Sequence, residues 1–417
     1  MKFLERVGGE LRLEGVALDA IAARFGTPCY VYSRAAIEAA YRDFDEGLAG
    51  VDHLVCYAVK ANSNLAVLDL LGRLGAGFDI VSGGELARVT AAGGRADRVL
   101  FSGVGKSEDE INAALAAGIK CFNVESEPEL ERLDALAGAA RRIAPVSLRI
   151  NPDVDARTHP YISTGMAGNK FGIPHGHALE VYRRASRLAN LRIAGIDCHI
   201  GSQILETEPL DEALERVLEL VEALRAEGIR LAHVDLGGGF GIRYRDEDPL
   251  DYRAYCRQVA ARLAGRGIAL LLEPGRAIVG NAGLLLTRVE YLKLDKAKRF
   301  AVVDASMSEL LRPALYGAWH DIVPVSTGAG RGDAVYDVVG PVCESTDVLG
   351  VDRALAIAAG DCLAILSAGA YGMVMSSNYN TRPRPAELIV DGDRVVQVRA
   401  REPVASLFAL ETRFPEA

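Results

Sequence analysis

Between residues 50 and 275 the chain repeats one pattern. A short β-branched or apolar run is followed by an alanine- and leucine-rich stretch with apolar residues at helical spacing, and then by another short run. The runs at 54–59, 78–81, 99–102, 120–124, 146–150, 194–200, 232–236 and 269–272 predict eight strands with helices between them. That alternation suggests a (β/α)8 barrel of the TIM type, with a doubly wound open sheet as the alternative, because periodicity does not report closure. Past Gly280 the texture changes. Strand-like runs at 284–292, 300–304, 334–339, 355–359, 362–367, 388–390 and 395–399 follow one another with few helices, and Asp391-Gly392-Asp393 is a hairpin signal. A second, all-β domain (sandwich- or barrel-like) is expected at 279–417. The segment 1–29 is expected to join it, with a β-like stretch at residues 10–13, an amphipathic helix at 18–25 and a break at Gly26-Thr27-Pro28. The barrel domain is then 30–278.

Composition narrows the class. At 417 residues, half of them hydrophobic and a quarter charged, the chain can bury a large core in two domains. A net charge of −9, without blocks of like charge, argues against a nucleic-acid surface, so any anion is caught by a local site. The seven cysteines are odd in number and never spaced C-x-x-C, which disfavours both a disulfide framework and a zinc site; no metal is expected. The start of the chain lacks the apolar core of a signal peptide, and no run reaches the roughly 18 apolar residues of a membrane span, so a cytoplasmic location is expected.

The polar residues inside this pattern gather where barrel chemistry occurs. Lys60, Asp79, His199, the run Gly237-Gly238-Gly239-Phe240-Gly241 and Glu273 all fall at or near the carboxyl ends of predicted strands. A lysine flanked by apolar residues is desolvated toward a usable nucleophile, although single lysines at strand ends are common. Bare glycine backbone can approach an anion closely, and three glycines equally make a tight turn. His199 alone reads as readily as a core histidine, and Arg276 could be a simple counter-ion for Glu273. Taken together, lysine, imidazole, glycine nest and carboxylate form the set that pyridoxal 5'-phosphate requires: an amine for its aldehyde, a cradle for its phosphate, a ring over its pyridine and an acid at its nitrogen.

The motifs Tyr57-Ala58-Val59-Lys60-Ala61-Asn62, His199-Ile200-Gly201-Ser202-Gln203, the glycine run, Glu273-Pro274-Gly275-Arg276, Leu311-Arg312-Pro313-Ala314-Leu315-Tyr316, Gly340-Pro341-Val342-Cys343-Glu344-Ser345 and Gly369-Ala370-Tyr371-Gly372 occur in that order along the chain. The series resembles that of the diaminopimelate decarboxylases, within the barrel-type pyridoxal-phosphate-dependent decarboxylases that include the ornithine and arginine enzymes. The resemblance implies decarboxylation of meso-2,6-diaminopimelate to L-lysine and carbon dioxide. It implies that Lys60 holds the cofactor as a Schiff base, that His199 stacks on its ring and that Glu273 pairs with its nitrogen. Ser202, Gly238, Gly239, Gly275, Arg276 and Tyr371 would surround the phosphate, with Asp79 beside the cofactor. Arg276, Arg312, Tyr316, Glu344 and Tyr371 would hold the substrate. Cys343 resembles the family's proton donor, which reaches the site from the other subunit of a homodimer, with Lys60 as the other candidate for the final proton. Asn169-Lys170-Phe171-Gly172, after Thr158-His159-Pro160-Tyr161, resembles a mobile loop.

The substrate follows a charge argument. Diaminopimelate carries an ammonium and a carboxylate at each end, so its far end needs both signs; Arg312 suits the carboxylate and Glu344 the ammonium. Ornithine would need the acid without the arginine. Decarboxylases of ornithine, arginine or carboxynorspermidine are the alternatives within the class, and a non-catalytic cofactor-binding protein is the alternative outside it. A racemase would need a second acid/base on the opposite face, which the sequence does not offer.

Overall fold

The computed structural model describes residues 1–156, 170–295, 298–327 and 332–415. The chain divides into two units, one made of Glu38–Ile242 with Glu247–Ile278, the other of Met1–Ile37, Arg243–Asp246 and Val279–Ala417.

The first unit is a closed parallel barrel. Its strands are His53–Ala58, Gly77–Ile80, Val99–Phe101, Cys121–Val124, Ala144–Asn151, Leu191–Asp197, His233–Asp235 and Ala269–Leu272. Each pairs in parallel with the next, and the last closes on the first through Leu270 opposite His53. Strands buried on both faces read as continuous apolar runs, which is why they were legible in the sequence. Polar residues in the strand-to-helix connections start the helices. Asn64, Ser82, Ser107, Ser126 and Asp251 each accept an N–H of the following first turn, and Ser107 with Glu110 forms a reciprocal capping box. These caps fix the helix starts at the end of the barrel where chemistry is expected.

The second unit is built on one long strand, Gly283–Leu294. Its first half pairs antiparallel with Cys29–Ser33 on one side and Cys362–Ile365 on the other, and its second half pairs with Arg299–Val303. Ala334–Val339 and Val348–Leu355 extend one edge, while Ala386–Asp391 and Arg394–Arg399 extend the other. The last pair is the expected hairpin, with Gly392 at φ 65° in its turn. Leu11, Leu13, Leu18, Ile21, Val31, Leu284, Leu286 and Leu388 pack into one core, so the N-terminal strand Glu10–Leu13 and helix Leu18–Phe25 are covered by this sheet.

Three boundaries differ from the sequence reading, the first being Arg243–Asp246, which falls inside the expected 30–278 barrel and belongs with the β unit. The strand Cys29–Ser33 pairs with Gly283–Leu294 and Ala386–Asp391, so residues 30–37, assigned to the barrel, belong with the β unit. The expected strand at 355–359 lies upstream, at Val348–Leu355, because Gly360 at φ 89° and the Asp361 carboxylate, which accepts the Ala358 N–H, close a turn there. The segment at 158–161 and Asn169 lie outside the described residues. All seven cysteines are free, and only Cys343 is exposed. No described helix is long and apolar enough to cross a membrane.

Candidate active site

Lys60 sits in the single 3-10 turn Val59–Ala61 that follows the first barrel strand. The residues after it build that turn. Tyr57 donates its hydroxyl to the Asn62 carbonyl at 2.9 Å, the Asn62 side chain accepts the Asn64 N–H at 3.1 Å, and Asn64 caps the next helix. The apolar flanks suggested an amine among hydrocarbon; instead Lys60 Nζ meets Asp79 Oδ2 at 2.5 Å, on a carboxylate with no solvent exposure. Asp79 Oδ1 is buried without a hydrogen-bond partner among the described residues.

His199 follows the sixth barrel strand. Its Nδ1 accepts the Gly238 N–H at 3.2 Å, which leaves the ring proton on Nε2. Burial, with Arg149 and Lys60 adding, holds this imidazole well below the ordinary histidine range, so it is a neutral flat ring.

The glycine run is required by packing. Gly237 and Gly239 lie at φ 65° and 92°, where side chains are strained. A Cβ on Gly237 would lie 2.6 Å from the Cys198 carbonyl, one on Gly238 would run into the Glu273 carbonyl, and one on Gly239 into that of Gly201. The backbone is stitched on both sides, Glu273 N–H to Gly237 O at 2.6 Å and Ile204 N–H to Gly239 O at 2.9 Å. Beside it, Arg276 donates to Ser202 Oγ at 3.1 Å, and a Cβ on Gly275 would press on Ala58 and Ala61 at 2.9 and 3.0 Å, against the Lys60 turn.

Glu273 heads a buried row of acids. It accepts from Asn123 Nδ2 at 3.2 Å and more weakly from Ser102 Oγ at 3.5 Å, and its carboxylate shares a cluster with Asp197 and Asp235 in which one oxygen of each lies within 4.8 Å of the others. Burial, then Asp235, Asp79 and Asp197, push the Glu273 carboxyl well above the usual range. Asp235 is pushed up to about 7, chiefly by burial, against the Gly237 N–H that its Oδ1 accepts at 2.9 Å. Arg149 closes the far end, 4.0 Å from Asp197 and 2.8 Å from Glu125. Glu125 in turn accepts the Gly172 N–H at 2.9 Å, and Phe171 lies 4.9 Å under the Arg149 guanidinium, so these two residues of the expected loop are tied to the row. Such acid spacing would also suit a metal ion. With Lys60 and Arg149 supplying positive charge at either end, protons are enough to neutralise the rest.

These residues fit pyridoxal phosphate. An amine stands beside an acid with an unused acceptor, a neutral ring has a fixed tautomer, a glycine cradle has no room for side chains, and a serine and an arginine stand next to it. The acid row also supplies a carboxylate for a protonated ring nitrogen. Sequence reasoning missed Ser102, Asn123, Arg149, Asp197 and Asp235. Their signal was a polar residue inside an otherwise apolar strand, which alternation alone does not distinguish from an outward-facing position.

The β unit carries the remaining expected residues. Arg312 opens the helix Arg312–Tyr316 and is buried, with its guanidinium 5.0 Å from the Tyr244 ring and 5.8 Å from that of Tyr316. The Cys343 N–H donates to Asn380 Oδ1 at 3.0 Å, and the Tyr379 hydroxyl donates to Glu344 Oε1 at 2.6 Å, so the Cys343-Glu344 pair is pinned by a segment the sequence did not single out. Glu344 also lines a cavity of about 650 Å³ with Tyr291, Phe300 and Val342. Tyr371 lies at φ 55°, a conformation uncommon outside glycine.

Residues 34–280 match the family model described as pyridoxal-dependent decarboxylase, pyridoxal binding domain. The diaminopimelate decarboxylase of Pseudomonas fluorescens is 60% identical over 413 residues, covering 98% of each chain, and that of Aquifex aeolicus is 47% identical over 96% of this chain and 95% of its own. Among solved structures, diaminopimelate decarboxylase from Helicobacter pylori complexed with L-lysine is 42% identical with a TM-score of 0.91, over 94% of this chain and 99% of that one. Lysine decarboxylase from Selenomonas ruminantium is more distant, at 25% identity and a TM-score of 0.81 over 91% and 97%.

Proposed function

The chain belongs to the pyridoxal-dependent decarboxylase family, and on that premise we propose that it converts meso-2,6-diaminopimelate to L-lysine and carbon dioxide, the step that yields lysine in its biosynthesis. It is a carboxy-lyase whose cofactor is pyridoxal 5'-phosphate. The observation that carries the reading is full-length identity of 60% to a diaminopimelate decarboxylase, in a chain whose barrel holds the whole lysine, imidazole, glycine and acid set.

In this reading Lys60 would hold the cofactor through its amine, and Asp79, 2.5 Å from that amine, would orient it. The neutral His199 ring would cover the cofactor ring. Gly238, Gly239, Gly275, Ser202, Arg276 and Tyr371 hold the phosphate, the glycines through backbone N–H groups. Glu273 would pair with the cofactor's ring nitrogen, and a cationic partner there would offset the burial that otherwise disfavours its charge. The bound cofactor supplies the sink for the electron pair left when carbon dioxide departs. Arg276, Arg312, Tyr316 and Tyr371 orient the substrate, with Arg312 on the distal carboxylate and Glu344 on the distal ammonium. The thiol of Cys343 or the amine of Lys60 returns a proton to the carbon that lost its carboxylate.

The reading includes a homodimer in which Cys343 and Glu344 serve the partner's site; the exposure of Cys343 on its own chain supports it. A cytoplasmic location is supported by seven cysteines that all remain free, as a reducing compartment keeps them. The test is Lys60→Ala in the cofactor-loaded enzyme. Loss of turnover together with the visible absorbance of bound cofactor is expected, and turnover at the parent rate would end the reading.

A further inference from the structure

Arg312 is held by more than its own helix. Gly317, at φ 60°, ends that helix and turns the chain back, so that His320 arrives beside the arginine eight residues after it. His320 is fully buried, and its Nδ1 lies 2.9 Å from the Leu366 carbonyl. A carbonyl only accepts, so Nδ1 carries the proton and Nε2 offers a lone pair. Arg312 Nε–H donates to that lone pair at 3.4 Å, a long bond that is directional all the same. Tyr244 completes the support. Its ring meets His320 edge to face, at 5.3 Å and 81°, and the same ring faces the guanidinium at 5.0 Å.

The result is a guanidinium located at its Nε end and along one face. An arginine fixed in that way can present its two Nη groups together, and a carboxylate is best read by two parallel N–H groups.

We propose that His320, backed by Tyr244, is a positioning residue that aims Arg312 and thereby sets the preference of this enzyme for a substrate with a second carboxylate. The proposal rests on the reading of Arg312 as the distal-carboxylate residue. It predicts an effect on binding of one functional group and not on the bond-breaking step.

The experiment uses the cofactor-loaded enzyme and two inhibitors that differ by one carboxylate, L-lysine and 1,5-diaminopentane. H320L should raise the KM for meso-diaminopimelate and the inhibition constant for L-lysine by roughly tenfold, the scale of one charge-assisted hydrogen bond. Inhibition by 1,5-diaminopentane should stay within about twofold, and kcat should move less than KM. H320Q, whose Oε1 can reach the same Nε–H, should recover most of the loss. Adding H320L to R312A should cost nothing further. Weakening of both inhibitors alike, in H320L and H320Q together, marks a merely structural residue and overturns the proposal, as does no change in either. R312A separates the two levels. If it weakens L-lysine alone while H320L does not, the role of Arg312 stands and that of His320 falls; if R312A fails to discriminate, the reading of Arg312 itself falls.

Discussion

Replacing Asp235 with asparagine tests the buried acid row through its effect on folding. Asp235 has no solvent exposure, one oxygen on the Gly237 N–H at 2.9 Å and the other without a hydrogen-bond partner among the described residues. Its carboxyl is raised from 3.8 to about 7, first by burial. The sign follows from linkage. Below pH 3.8 the group is protonated in both states and costs nothing; between 3.8 and 7 the unfolded chain ionises while the folded one does not, so stability falls as pH rises; above 7 the loss is complete. About three pK units at about 1.36 kcal/mol each set a ceiling on the order of 4 kcal/mol. Asparagine keeps the acceptor for Gly237 and never ionises. Urea unfolding of the cofactor-free protein, followed by far-UV circular dichroism, should therefore show parent and variant equal near pH 4 and the variant more stable by roughly 1–4 kcal/mol at pH 8. A gap independent of pH, or a variant less stable at pH 8, refutes the reasoning.

Three further outcomes are expected. Gly239→Ala, at φ 92° and against the Gly201 carbonyl, should lose roughly 1–3 kcal/mol to backbone strain and weaken cofactor binding, read by urea unfolding and by titration of cofactor absorbance. Arg149→Met removes the counter-charge of Glu125 and Asp197 and should cost about 3–5 kcal/mol at neutral pH, with partial recovery when Glu125→Gln is added; an unchanged urea midpoint would show that the pair is not needed. Mixing Lys60→Ala chains with Cys343→Ala chains should restore part of the activity through hybrid dimers. No recovery, with hybrids demonstrated by native mass spectrometry, would show that each chain is self-sufficient.

The barrel was legible because strands buried on both faces spell unbroken apolar runs, and its expected strands lie within a few residues of the observed ones. The strand at Cys29–Ser33 was harder to place. It lies next in sequence to the barrel, and only its pairing with Gly283–Leu294, some 250 residues on, assigns it to the β unit. Lys60, His199 and Glu273 stood out because a single polar residue ends an apolar run. Asp197 and Asp235 did not, since a carboxylate inside a short strand reads as an outward position until closure turns it into the core. His320 was invisible for a similar reason. Its meaning depends on which ring nitrogen faces Arg312, and the Leu366 carbonyl that decides this is 46 residues away.

The central claim is tested most directly by carbon dioxide release from meso-diaminopimelate by the cofactor-loaded enzyme, with ornithine and arginine run in parallel. Release from diaminopimelate alone, with L-lysine as the matching product, is the predicted result. Release from ornithine or arginine in its place, or from none of the three with cofactor bound, would contradict it.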